Sequence, residues 1–173
     1  MRRKKEMRRL ADALIDPLRV TVPAEPEDLF DALVASVGVW RGREVRVHRK
    51  VFPPHTASGL WLERDTHDDV VIDKRAALWH QIVIFCHEVW HMHRQETSTP
   101  AEAAGEPTAA RTDFSLADEQ EADRFGMLMA QRLRPWLEAP ADQGFAAGQA
   151  PGEGARDLAG RIGAALNHRG TRG

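Results

Sequence analysis

Between Leu78 and Met92 the chain is almost uninterruptedly apolar, yet His87, Glu88 and His91 stand inside that run. A segment apolar on nearly every side reads as a helix buried in a core. Imidazoles and a carboxylate are costly to bury there unless something satisfies them. On a helix of about 3.6 residues per turn, positions i and i+4 share a face, so His87 and His91 can hold one cation from one side. Glu88 then stands beside that cation. The alternative is a core helix whose histidines are hydrogen-bonded and bind no metal.

The H-E-x-x-H spacing is the one used by zinc peptidases, where the glutamate is the general base acting on a water activated by the metal. Catalytic zinc sites take three protein ligands and leave a fourth position open, so a third ligand must come from elsewhere. The metzincin extension would need a glycine at 94 and a histidine at 97, where this chain has Arg94 and Thr97, and is excluded. The other arrangement takes a glutamate from a following helix, and the candidate is Glu119. Glu119, Ala122, Asp123 and Gly126 fall at i, i+3, i+4 and i+7 on one face, two of them small enough for close packing. Glu119 would ligate Zn²⁺. Asp123 would accept a hydrogen bond from the non-ligating nitrogen of a ligand histidine, fixing its tautomer. Asp118 is the alternative third ligand, and Glu121 is assigned to solvent. The ordinary reading of the whole cluster is the acidic outer face of an amphipathic helix.

A chain of 173 residues is one domain's worth, and 42% hydrophobic with 29% charged residues at net charge −2 excludes wholesale disorder and a globally basic nucleic-acid binder. Its single cysteine, Cys86, excludes an internal disulfide framework and fits a reducing compartment. No run reaches eighteen apolar residues and the start lacks a secretory pattern, so a soluble, cytoplasmic protein without membrane association is expected. The basic stretch Arg2–Arg9, in which only Glu6 is acidic, reads as the solvated start of a helix through about Ile15, with a phosphate-contacting arm as the alternative.

Along the chain, periodicity predicts a second helix carrying Leu29, Phe30, Leu33, Val34 and Val37 and ending near Gly38. Strands follow around Val45–Val51, Gly59–Glu63 and Val70–Asp73, with residues 64–69 as a turn, together an antiparallel sheet. The exposed edge is assigned to Val70–Asp73, where an extended substrate could add as a strand. The central helix is expected over about Arg75–Arg94 and a loop over 96–112. The Glu119 helix should run from Ser115, capped with Asp118, to about Leu133 before Pro135. Residues 138–154 read as a linker and 155–166 as a short helix. The expected organisation is a basic arm over 1–24, the main domain over 25–137 and a tail over 138–173. His48, His55 and His67 read as surface or strand histidines.

His87-Glu88-x-x-His91, the interval of about 28 residues to Glu119-x-x-Ala122-Asp123-x-Phe125, and the short strands before them resemble the ImmA/IrrE family of small metallopeptidases. The resemblance covers about residues 25–135. It extends from Gly59-Leu60-Trp61 through Val70-Val71-Ile72 into His80, a stretch similar to toxin or regulator components of toxin-antitoxin-like loci. It implies an α+β, zincin-like core, cytoplasmic action and a helix-turn-helix transcriptional repressor as the partner that is cleaved or otherwise inactivated. Two departures stand out. The family's middle residues are leucine and glycine, where this chain has Val89 and Trp90, and an indole there should alter the local packing. The chain also has no tyrosine, a residue zinc peptidases use to stabilise an oxyanion. His80, seven residues before His87 and on its face, is the candidate substitute, its alternative being a plain surface histidine at the helix start. The expected function is zinc-dependent endopeptidase action on a protein partner. The rival is a non-catalytic zinc-containing regulator that acts by binding.

Overall fold

The central helix is a buried one. In the computed structural model, which describes residues 2–97 and 114–138, α3 spans Leu78–Thr97. Ile82, Phe85, Cys86, Val89, Trp90 and Met92 on it are essentially inaccessible to solvent. Three helices and a small sheet surround it: α1 (Arg2–Ile15), α2 (Pro26–Arg41), β1 (Glu44–Lys50), β2 (Gly59–Glu63), β3 (His67–Asp73) and α4 (Leu116–Leu137). The architecture is α+β, with four helices and three strands among the described residues.

The sheet is mixed, in the order β1-β3-β2, which corrects the antiparallel expectation. β2 and β3 form the expected hairpin, with Gly59 opposite Ile72 and Glu63 opposite Asp68. β1 instead lies parallel to β3, with Glu44 opposite His67 and Lys50 opposite Asp73. The physical reason lies in residues 51–58, where Pro53 and Pro54 rule out a tight turn, so the chain crosses to the far side of β3 before returning. β3 is therefore the central strand. Val70–Asp73 is thus not an edge; the edge strands of the sheet are β1 and β2.

β3 also begins earlier than hydrophobicity suggests. His67, Asp68 and Asp69, read as turn, are its first residues, and Asp68 is fully buried. Its carboxylate accepts from Arg41 Nε at 2.8 Å and from the Trp61 indole at 3.2 Å. A buried carboxyl group is tolerated there because it is paired and hydrogen-bonded.

α1 is not a separate arm. Met7, Leu10, Ala11, Leu14 and Ile15 share one core with Leu29, Leu33 and Val37 of α2, and the buried Ser36 hydroxyl donates to the Leu14 carbonyl at 2.7 Å. All the described residues belong to one compact unit, Met1–Ala139, so the boundary at residue 24 divides nothing among them. α2 runs one turn past Gly38 to Arg41 and stops at Gly42, which supplies the left-handed C-cap at φ 71°. α4 continues through Pro135 to Leu137, since a proline in the last turn forfeits only one helical hydrogen bond. Of the loop expected over 96–112, Glu96 and Thr97 belong instead to α3; the rest of it, the tail from 139 on and the helix expected over 155–166 lie outside the described residues.

Candidate metal centre

α3 and α4 pack closely because Gly126 faces α3. A Cβ at that position would stand 2.9 Å from the Val83 carbonyl oxygen, so a larger residue would push the helices apart. Ala122, one turn earlier, is also fully buried. Trp90 does not obstruct this approach. Its indole lies in the core against Phe125, centroids 5.2 Å apart, away from the contact at Val83.

Side by side, the two helices bring His87, His91 and Glu119 together. His87 Nε2 is 3.1 Å from His91 Nε2, and Glu119 presents Oε2 to His87 at 3.3 Å and Oε1 to His91 at 3.4 Å. Two ligand atoms bound at about 2.0–2.1 Å to one tetrahedral ion lie about 3.3–3.4 Å apart, so the three residues stand close enough to hold a metal ion. The donor set, two imidazoles and a carboxylate, suits zinc.

The supporting groups are divided between the helices. His87 Nδ1 lies 3.0 Å from the Asp123 carboxylate, the contact expected of Asp123. With Nδ1 carrying the proton, Nε2 is left as a lone pair facing the triad. Asp118 is committed elsewhere. Ser115 caps α4, its hydroxyl accepting from Asp118 N at 3.2 Å while the Asp118 carboxylate accepts from the Ser115 backbone and hydroxyl. That capping box removes Asp118 as third ligand. Glu121 is not a solvent residue, because its carboxylate pairs with Arg3 at 2.9 Å and lies 4.0 Å from Arg94, tying α1 to α4.

Glu88 is 7% exposed and stands at the wall between α3 and β2. Burial pushes its carboxyl up to about 8, the Glu119 carboxylate adds to the shift, and a hydrogen bond from the Trp61 backbone N–H opposes it. His91 goes the other way. Burial lowers it to about 4, with the neighbouring His87 adding and Asp118 opposing, so its neutral, ligand-competent form prevails at neutral pH. Cys86 is fully inside the core and burial raises its thiol, which fits a packing role.

A cleft of about 470 Å³ opens in front of these groups, in the size range of ligand sites. One wall is Thr56–Trp61, which includes the start of β2; the other is α3 and α4. His80 is exposed and lines the same cleft as His87 and Glu88. His48 and His67 contact Asp69 instead, at 2.8 and 3.4 Å, and His55 is exposed in the β1–β2 connection.

Two contributors were not legible in the sequence. Gly59 lets β2 approach Glu88, since a Cβ there would meet the glutamate oxygen at 2.6 Å. Phe114 stacks on His91 with centroids 3.7 Å apart and planes 18° from parallel. Neither belongs to a periodic pattern, and no sequence signal would have marked them.

The arrangement defines an α+β domain with a two-histidine, one-glutamate group able to hold a metal at the floor of a cleft. Compared with family models, with curated proteins and with solved structures, the chain matches none. Among the described residues, no helix is long and apolar enough to cross a membrane.

Proposed function

We propose that this protein is a zinc-dependent endopeptidase of zincin-like fold, acting in the cytoplasm on a protein partner. The observation that carries the reading is the position of Glu88. It is a buried carboxylate beside the His87, His91 and Glu119 triad, facing the same cleft, and a purely structural zinc site has no use for such a base. Bound zinc would supply Lewis acidity toward a water and toward the scissile carbonyl.

The chain's own residues do the rest. His87, His91 and Glu119 would hold the ion, and Asp123 would keep His87 in the ligating tautomer. Glu88 would take a proton from the attacking water and deliver it to the leaving amine, its ionised form being favoured by a cation held beside it. Thr56–Trp61, along one side of the cleft, is where an extended substrate segment would lie. His80, exposed at the mouth, is the candidate oxyanion donor. The resemblance to the ImmA/IrrE metallopeptidases, carried by the residues quoted above, suggests a helix-turn-helix repressor as the substrate.

The test is Glu88→Gln, which retains volume and hydrogen bonding but removes the base. Zinc content should stay at the parental level while cleavage of the partner falls by about 10²–10⁴-fold. Relief of repression by both parent and variant, with the partner left whole, would establish the rival reading of a regulator that acts by binding.

A further inference from the structure

The two ligand histidines are held in different ways. His87 has the Asp123 carboxylate 3.0 Å from its Nδ1. His91 is 1% exposed, yet its Nδ1 is buried without a hydrogen-bond partner among the described residues. A histidine whose other ring nitrogen meets an acceptor has its orientation and tautomer set by that bond. Among the described residues, His91 has no such bond. Against the face of its imidazole lies the ring of Phe114, nearly parallel at 18° and 3.7 Å between centroids.

Resting on the metallopeptidase reading of this site, we propose that Phe114 is the positioning residue for His91, its ring holding the imidazole plane in the ligating orientation where an acceptor would otherwise do so. Two facts besides the stack favour this. His87 approaches His91 edge-on, with planes 66° apart, so it restricts the ring on another side but does not cover its face. Phe114 also immediately precedes Ser115, the cap of α4. The residue that orients His91 is thereby joined to the start of the helix that delivers Glu119, and His91 and Glu119 are brought into register by one short piece of chain. A flat aromatic contact restrains tilt but supplies no acceptor, so its removal should loosen His91 without leaving a buried charge.

The test compares the parent with Phe114→Leu and Phe114→Tyr by two readouts. The first is the proton spectrum of the histidine rings in metal-free protein, where the Phe114 ring current should shift the His91 ring protons upfield. The second is zinc affinity, measured by competition with a chromophoric chelator. Phe114→Leu should lose the upfield shift and bind zinc about tenfold more weakly, at the lower end of what loss of a supporting partner costs. Phe114→Tyr, which keeps the ring, should restore both. Parental affinity in Phe114→Leu would overturn the proposal and leave the metal site standing. A parent that shows the upfield shift yet takes up no zinc would overturn the metallopeptidase reading, and the proposal with it.

Discussion

Gly59 and Glu88 are in such close approach that a single methyl group at Gly59 would stand 2.6 Å from the Glu88 carboxylate and 2.5 Å from Ile84 Cγ2. The residue that begins β2 thus sets how near the strand comes to the proposed base. Gly59→Ala should displace Glu88 while leaving the three ligands untouched. We expect about 1–3 kcal/mol lower stability, zinc binding little changed, and partner cleavage down by about 10²-fold, the effect of a misplacement near 1 Å. Denaturant unfolding, zinc titration and gel-based cleavage assays separate the three quantities. Full activity in a folded Gly59→Ala variant would show that Glu88 does not depend on this contact.

Metal-free protein should show the burial of Glu88 as a pH dependence. Its folded-state pKa is raised to about 8, so the folded protein retains a proton that the unfolded chain loses above about 4.5. Stability contributed by that proton is complete below the unfolded value and is lost as pH rises toward 8. Metal-free Glu88→Gln lacks this loss. At pH 8 it should be more stable than the metal-free parent by on the order of 2–4 kcal/mol, and the difference should shrink toward pH 4. Urea unfolding in chelator at a series of pH values measures it, and a pH-independent difference would contradict the assigned burial.

The three acidic residues of α4 should separate by function. Glu119→Ala should abolish tight zinc binding, whereas Asp123→Ala should weaken it by about 10–100-fold through His87. Asp118→Ala should leave zinc affinity near the parental level and lower stability by about 1 kcal/mol, the usual cost of a lost cap. Zinc titration and thermal unfolding of the three variants test the assignment. Tight binding by Glu119→Ala together with its loss in Asp118→Ala would reverse it.

Asp68 should be among the costliest polar residues to remove. Asp68→Ala leaves the Arg41 side chain, 4% exposed, without its most buried partner, while Glu63 and the exposed Glu96 remain. Loss of one member of a buried pair typically costs about 3–5 kcal/mol. The Trp61 indole also loses its acceptor, so near-ultraviolet circular dichroism should change along with the unfolding midpoint. A loss below about 1 kcal/mol would place this network in the class of ordinary surface pairs.

Local order along the chain set the pairs from which the candidate metal group is built. His87 and His91 share a face because they are four apart on a helix, Asp123 follows Glu119 by the same interval, and the apolar run around the histidines required burial whatever packed against it. Those relations follow from 3.6 residues per turn and need no knowledge of neighbours. Tertiary structure decided which residues met across the chain. Asp68 and Asp69 read as turn residues, and Arg41, 27 positions away, together with the Trp61 indole makes a buried carboxylate tolerable in a central strand. The parallel pairing of β1 with β3 depended on where the chain went after Pro53-Pro54, because alternation identifies a strand but not its neighbour. Asp118 left the list of ligands once Ser115 and the helix start claimed its carboxylate, and Glu121 left solvent for Arg3 of α1. Gly59 and Phe114 matter only because β2 and the start of α4 lie against α3, a proximity that comes from packing and that no interval along the chain encodes.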